Sequence, residues 1–344
     1  MELLASIAAQ GHEQVIAFQD PPSGLRGFLA IHSTRLGPAL GGVRLMRYRG
    51  EADALADVLR LSRAMTYKCA LAELPAGGGK AVLLDSSALK RRRAFEAYGR
   101  IVQGLGGRFY TGGDIGIRPA DLEAVGRATE WVARESAPEL GDVNQCTADG
   151  VCAAMRACLE ARGIELRGAH VAVQGVGNVG LRLARILAEA GCRLTLADVD
   201  AARVRRAARA LGADVASPAR IALADADVFA PCALGGVLNA GSIARMRARI
   251  VCGAANNQLA TPADAARLAR RGILYAPDYL ANAGGVIRGA EYHLLGRADS
   301  RASIEAIGAR MRVIAHRAAR ARTSTTAVAN AMAQAIVRRG PPKG

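Results

Sequence analysis

The pattern of apolar and polar positions changes character along the chain. From residue 12 to 50 it suits strands. Glu13-Gln-Val-Ile-Ala-Phe18 and Leu25-Arg-Gly-Phe-Leu-Ala-Ile-His32 flank Pro21-Pro-Ser-Gly24, whose residues favour a turn. Glu51 to about Thr66 reads as a helix with Leu55, Val58, Leu59, Ser62 and Met65 on one face. Ala81-Val-Leu-Leu84 is a short buried strand behind a glycine run, and Arg93 to Leu105 is helical. Arg108-Phe-Tyr-Thr111 is a further strand, ending at Gly112-Gly-Asp114, and Pro119 to Ala133 reads as a helix with proline in its first turn. The polar, irregular segment from Glu135 to Gln145 reads as a hinge.

Beyond it, short apolar runs alternate with amphipathic ones. Ala148 to Arg162 is a helix. His170-Val-Ala-Val-Gln174, a glycine turn, a helix to Ala190 and Arg193-Leu-Thr-Leu-Ala-Asp198 then form a strand–turn–helix–strand unit. Strands at Asp227–Ala230, Arg249–Gly253 and Gly272–Ala276 follow, and Thr326 to Val337 is a last helix before a frayed tail, Gly340-Pro-Pro-Lys-Gly344. Strands alternating with helices predict an α/β fold whose second part is a doubly wound parallel sheet.

Length and composition narrow the class. The 344 residues suffice for two cores, and 51% hydrophobic with 22% charged residues reads as soluble and globular. No signal peptide and no run long enough to cross a membrane is seen. The seven cysteines are scattered without a CxxC pair or histidine spacing, so neither a disulfide framework nor a metal site is expected, and a reducing cytoplasm fits. The net charge of +16 raises nucleic acid as a partner. The arginines of Val204–Arg209 and Arg310–Arg322 fall among alanines at helical spacing, however, as solvated helix faces do, and aromatic residues are only 4%. Lys90-Arg-Arg-Arg93 reads as the start of a surface helix.

Gly175-Val-Gly-Asn-Val-Gly180 carries chemistry. It follows an apolar strand and opens an amphipathic helix, the context that makes GxGxxG a dinucleotide site. Gly175 serves the tight turn, Gly177 the approach of the pyrophosphate, and Gly180 the packing of helix on strand. Asp198 ends the next strand, where a carboxylate accepts the ribose hydroxyls and repels a 2′-phosphate, so NAD is expected; nearby Arg203 leaves NADP as the lesser option.

Of the 46 basic residues only Lys68, Lys80, Lys90 and Lys343 are lysines; the rest are arginine. Guanidinium stays protonated, whereas an ammonium sheds its proton when buried or set beside another cation. Two lysines in Met65–Lys80, one at a helix end and one behind Gly77-Gly-Gly79, therefore point to chemistry, with Asp114 as the carboxylate partner.

Several long motifs in order resemble the leucine/phenylalanine/valine (Glu/Leu/Phe/Val) dehydrogenase family of amino-acid dehydrogenases: Leu36–Arg44, Met65–Lys68, Pro75–Lys80, Thr111–Asp114, Val173–Gly180, Ala230–Gly235, Gly253–Leu259 and Ala276–Gly285. The resemblance runs from about Gly11 to the final helix. It implies NAD-dependent oxidative deamination of an L-amino acid to the 2-oxo acid and ammonia, and the reverse. It also implies a substrate and oligomerisation domain of residues 1–135 plus 322–344, a Rossmann-type NAD domain of residues 136–321, an active site in the cleft between them, and a homo-oligomer of at least two chains.

Carried over position by position, Lys68 binds the substrate carboxylate with backbone at Gly41 and Gly42, Lys80 is the general base, Asp114 assists proton transfer, and Asn282 orients the reacting group. Thr147, Asn178, Val179, Cys232, Ala233, Ala255 and Asn256 join the three glycines and Asp198 in the cofactor cleft, with Cys232 as wall rather than nucleophile. Asp149 stands where many relatives carry an uncharged residue. Glutamate dehydrogenases have a lysine in place of Leu40, which cannot pair a distal carboxylate, so the substrate is apolar. Met65, Gly112, Val286 and Gly289 complete that pocket. Leucine-type members have larger residues at the two glycines, so phenylalanine or tryptophan is expected ahead of leucine or valine. A non-catalytic NAD- or nucleic-acid-binding protein on this scaffold is the rival reading, opposed by Lys68, Lys80, Asp114 and Asn282. A 2-hydroxy-acid dehydrogenase lacks support, because the sequence shows no His–Asp or His–Glu pair placed to take a hydroxyl proton.

Overall fold

The computed structural model describes residues 3–133 and 138–341. Part of the expected hinge (residues 135–137) and Lys343 with the end of the tail (residues 342–344) lie outside them. The chain divides into two units. The first is Met1–Gly141 with Tyr292–Ala298 and Ala333–Gly344; the second is Asp142–Glu291 with Asp299–Met332.

The first unit begins with α1 (Leu3–Gln10), β1 (Gln14–Asp20), β2 (Leu25–Ser33) and β3 (Ala39–Met46). It continues with α2 (Glu51–Leu71), β4 (Gly77–Leu84), α3 (Arg91–Gln103), β5 (Phe109–Gly113) and α4 (Pro119–Gly126). The sheet order is β1-β2-β4-β3-β5; β2 is antiparallel to β1 and β4, and β3 is parallel to β4 and β5. Period-two alternation gives the sheet two buried faces. Leu29, Ile31, Val43, Leu45, Ala81 and Leu83 pack on Phe95, Tyr98 and Val102 of α3 and Leu122 and Val125 of α4. Ala30 and Val82 face Ala54, Leu55, Val58 and Leu59 of α2. Lys80 and Arg44 share the parity of Val82 and so belong to the α2 face.

Two expectations change here. The helix from Glu51 continues to Leu71, which puts Lys68 within its last turn. The helix from Pro119 stops at Gly126 instead of reaching Ala133. The following residues run beside β5, with Trp131 O accepting from Thr111 N and Ala133 N donating to Thr111 O, so the sheet captures them. Helix α1, whose residues are all at least partly exposed, is apolar nearly all round, with no contrast between faces by which sequence patterning would find it.

The second unit holds α5 (Val143–Glu160), β6 (His170–Gln174), α6 (Asn178–Glu189), β7 (Arg193–Ala197), α7 (Ala201–Leu211), β8 (Asp214–Val215), β9 (Val228–Pro231) and α8 (Ala240–Arg245). Then come β10 (Ile250–Val251), α9 (Ala263–Arg270), β11 (Leu274–Tyr275), α10 (Asp278–Ala281), α11 (Gly284–Leu295), α12 (Arg301–Ala321) and α13 (Thr325–Arg339), of which α11 from Tyr292 and α13 from Ala333 count with the first unit. Its sheet is parallel throughout, in the order β11-β10-β9-β6-β7-β8. The order reverses between β6 and β9, and in such sheets the crevice at the strand ends there takes the ligand. All seven cysteines are free, and among the described residues no helix is long and apolar enough to cross a membrane.

Helix α2 is tied to the first sheet by two buried histidines. His12 Nε2 lies 2.9 Å from Ser62 Oγ, His32 Nδ1 lies 2.8 Å from Thr66 Oγ1, and the rings meet edge-on at 4.8 Å. Burial, then the neighbouring His12, lowers the His32 pKa to about 4. As pH falls from the imidazole's ordinary 6.5 toward 4, the unfolded chain takes up a proton that the fold refuses, so stability decreases through that window. Urea unfolding should therefore show a loss on the order of 2 kcal/mol between pH 7 and 5 in the parent and a smaller loss in His32→Gln. Equal losses in both proteins would refute the assignment to His32.

Candidate active site

Lys80 sits on β4 and Asp114 follows β5, with β3 between them. Crossing two strand spacings, about 10 Å, takes a long side chain and a clear path. The register pairs Leu40 with Gly78 and Val43 with Ala81 on one side of β3, and Gly42 with Gly112 on the other, so Gly42 falls between Lys80 and Gly112. A Cβ at Gly42 would lie 2.6 Å from Gly113 O and 3.1 Å from the Asp114 Cβ. Glycine there opens the path, and Lys80 Nζ reaches Asp114 Oδ2 at 2.6 Å, with both side chains largely buried.

A third charge completes the cluster. Arg44 Nε donates to the same Asp114 oxygen at 3.0 Å, and its Nη1 donates to Asp57 Oδ2 of α2 at 2.9 Å. Tyr48 Oη donates to that Asp57 oxygen at 2.8 Å, and Arg60 binds the other. Burial depresses the Lys80 pKa and Arg44 adds to this, while Asp114 pulls the other way; the balance lies below the ordinary lysine value. Burial would raise Asp114, but Lys80 and Arg44 outweigh it and hold the carboxyl at about 2. Near neutrality Asp114 therefore stays charged.

The other expected residues of this unit surround that cluster in sequence and fold. Lys68 is buried in the last turn of α2, Leu40 is buried on β3, and Met65 is half-buried. A Cβ at Gly41 would meet Gly79 O at 1.8 Å, so backbone closely approaches backbone there. A Cβ at Gly112 would meet only the Ala133 Cβ, at 3.5 Å. Arg44 and Asp57 were missed as functional residues. Arg44 stood out only as the end of the Leu36–Arg44 motif, and one arginine among so many gives no signal by itself.

In the second unit the glycine turn joins β6 to α6. Gly175 has φ +94°, and a Cβ there would lie 2.8 Å from the Ala233 Cβ at the end of β9. A Cβ on Gly180 would meet Gly175 O at 2.0 Å, whereas one on Gly177 would meet nothing within 4 Å. The helices α5, α7 and α8 are capped by Asp142, Asp200 and Asn239, but α6 has no side-chain cap. Its first N–H groups, near exposed Asn178 and half-buried Val179, are thus left for an anion. These features fit a dinucleotide pyrophosphate.

Asp198 closes the turn from the other side. Its Oδ2 accepts from Val176 N at 2.8 Å and its Oδ1 from Asp200 N at 2.9 Å; Arg203 lies 3.8 Å from it and 3.3 Å from Asp200. Asn282 donates to Asn256 Oδ1 at 2.8 Å and to Ala254 O at 3.0 Å, next to buried Ala255. Thr147 donates to Val143 O at 2.9 Å, and the start of α11 packs against it: a Cβ on Gly285 would lie 2.6 Å from Thr147 Oγ1. Val286 is half-buried, and a Cβ at Gly289 would meet nothing within 4 Å. Burial pushes the Cys232 thiol to about 11, which suits no nucleophile at neutral pH. Asp149 accepts from Gln145 Nε2 at 2.9 Å. A cavity of about 870 Å³ in this unit, floored by alanines of α5, α9 and α12, contains none of these residues.

Two family models account for nearly the whole sequence: the Glu/Leu/Phe/Val dehydrogenase dimerisation domain over residues 12–137, and the Glutamate/Leucine/Phenylalanine/Valine dehydrogenase domain over residues 141–202 and 195–337. The chain belongs to the Glu/Leu/Phe/Val dehydrogenase family. Among its relatives, L-tryptophan dehydrogenase from Nostoc punctiforme is 45% identical over 290 residues, 83% of this chain and 82% of that one. Leucine dehydrogenase from Geobacillus stearothermophilus is 44% identical over 297 residues, 85% and 81% of the two chains. The crystal structure of L-tryptophan dehydrogenase from Nostoc punctiforme matches with a TM-score of 0.86 at 38% identity, covering 98% of both chains. The protein is accordingly an amino-acid dehydrogenase, and its family chemistry requires a nicotinamide cofactor.

The geometry makes Gly42 as critical as the charges it separates. Gly42→Ala should drive Asp114 off Lys80 and lower kcat/KM for amino-acid oxidation by about 100-fold. An unchanged kcat/KM would show that the open path over β3 is not needed.

Proposed function

We propose that the protein catalyses NAD-dependent oxidative deamination of an apolar L-amino acid, reversibly, with phenylalanine or tryptophan preferred to leucine or valine. The observation that carries the reading is the buried Lys80 amine, held 2.6 Å from a carboxylate that stays ionised and depressed below the ordinary lysine range. A bound nicotinamide would supply the acceptor for the hydride of the substrate α-carbon. Lys68 pairs with the substrate carboxylate beside the backbone of Gly41 and Gly42. Lys80, neutral, takes a proton from the water that adds to the imine carbon. Asp114 steers protons to and from the departing nitrogen, and Asn282 orients the reacting group. The rival, non-catalytic reading leaves unexplained why a lone lysine is buried beside a carboxylate and an arginine.

NAD rather than NADP is favoured because the Asp198 carboxylate meets the ribose and repels a 2′-phosphate, while Arg203 is already occupied by Asp198 and Asp200. Leu40, with no charge for a distal carboxylate, supports an apolar side chain. The lack of side chains at Gly112, where a Cβ would touch only Ala133, and at Gly289, which borders open space, supports a large one. The dimerisation-domain match over residues 12–137 supports a homo-oligomer; a monomeric mass by light scattering at working concentration would contradict it.

An absorbance assay for NADH across a panel of L-amino acids, with NAD and NADP, tests the reading. The parent should oxidise phenylalanine or tryptophan with the highest kcat/KM and prefer NAD. Lys80→Ala and Lys80→Arg should each lose about 1,000-fold, because neither side chain can take the proton. Parent-like turnover by Lys80→Arg would refute the role of the amine.

The same panel tests the volume argument. Gly112→Ala and Gly289→Val should shift the ratio of aromatic to branched-chain kcat/KM toward leucine and valine by about tenfold or more. A parent preferring leucine or valine, or variants with unaltered ratios, would discard the aromatic preference while leaving the reaction intact.

A further inference from the structure

Arg44 bridges two carboxylates that come from different parts of the first unit. Nε is on Asp114, after β5, and Nη1 is on Asp57, in the second turn of α2. Its guanidinium is buried, with 6% side-chain exposure, in a sheet position whose neighbours Val43 and Leu45 point to the opposite, apolar face. Burying a guanidinium is costly unless both its charge and its N–H groups are matched. An apolar residue would fill a sheet face at less cost, so packing does not explain this arginine.

What the bridge does to Lys80 follows from the shared oxygen. Asp114 Oδ2 accepts from Lys80 at 2.6 Å and from Arg44 at 3.0 Å. When Lys80 gives up its proton, Asp114 loses one cation and keeps the other, so it remains an ionised acceptor through the cycle instead of capturing the proton. The planar fork of arginine holds Asp57 and Asp114 together, which a single ammonium does less well. Tyr48 and Arg60 hold Asp57 in turn.

We propose that Arg44, anchored on α2 through Asp57 and Tyr48, is the residue that holds the Asp114 carboxylate ionised and sets the charge balance in which the Lys80 amine works. This rests on the role proposed for Lys80 and adds the group that tunes it. The ionisable groups that act on Lys80 are Asp114 beyond β5, Arg44 on β3 and Asp57 on α2, with Tyr48 and Arg60 bound to Asp57 and Lys68 further along the same helix. His12 and His32 lie on the same sheet face and have lowered pKa values, so they are neutral at neutral pH.

The test reads the amine directly. With only four lysines in the chain, protein labelled with 13Cε-lysine gives at most four side-chain signals, and that of Lys80 is the one absent from Lys80→Met. Its shift is followed against pH in the parent, Arg44→Gln and Asp57→Asn. Removing the cation leaves Asp114 to hold the ammonium alone, so in Arg44→Gln the Lys80 midpoint should rise by about one pH unit. Removing the remote anion should move it the other way in Asp57→Asn. In the active protein the acid limb of kcat/KM should follow the same two directions. Midpoints equal in all three proteins, or moved in the same direction by both substitutions, would overturn the proposal. If Arg44→Gln does not fold, the direction in Asp57→Asn decides: downward supports it, upward or unmoved overturns it. The signal needs no turnover, so an inactive parent would defeat the proposed function and leave this test standing.

Discussion

A buried amine pressed against a buried carboxylate is the constraint on which the first unit is built. Such a pair is a poor source of stability, since desolvating two charges consumes most of what their attraction returns, while removing one partner alone costs about 3–5 kcal/mol. Much of the local architecture is needed only to make the pair possible. Gly42 leaves the path across β3 empty, β5 ends at Gly113 so that Asp114 turns toward it, and α2 covers the face while presenting Asp57 to Arg44. Val43 and Leu45 of β3 and Ala81 and Leu83 of β4 are turned to the opposite core, where Phe95 and Tyr98 pack.

The second unit solves a different electrostatic problem in a similar way, by omission. Around the parallel sheet α5, α7 and α8 are closed by their own aspartate or asparagine, whereas at α6 Gly177 stands in the capping position and a Cβ there would meet no neighbour. Asp198 helps to shape that opening. By accepting from Val176 N and Asp200 N, it fastens the glycine turn to the end of β7, so the residue expected to meet the ribose also holds the loop that meets the phosphates.

The parts legible in the sequence are those where one local rule dominates. The strand, glycine turn and helix from His170 onward follow from apolar runs and GxGxxG, and the pairing of Lys80 with Asp114 follows from the rarity of lysine together with glycines beside each. Where non-local contacts decide, patterning falls short. The helix from Pro119 looks continuous to Ala133, yet the backbone of Thr111 captures Trp131 and Ala133 for the sheet. Arg44 is invisible for a related reason: its meaning lies in Asp57 and Asp114, 13 and 70 residues away. Met65 falls on the expected face of α2 but is only half-buried, because apolar periodicity indicates a direction and not how deeply the neighbours close over it.

The account as a whole stands on Lys80 working as a base near neutral pH, and the acid limb of kcat/KM measured at several temperatures addresses that most directly. An amine ionises with a large enthalpy and a carboxylic acid with almost none, so the temperature dependence identifies the group as well as its pKa. The limb should lie well below the ordinary lysine value of 10.5 and move to lower pH on warming. A limb that ignores temperature, or one that does not appear until the ordinary lysine range, would contradict it.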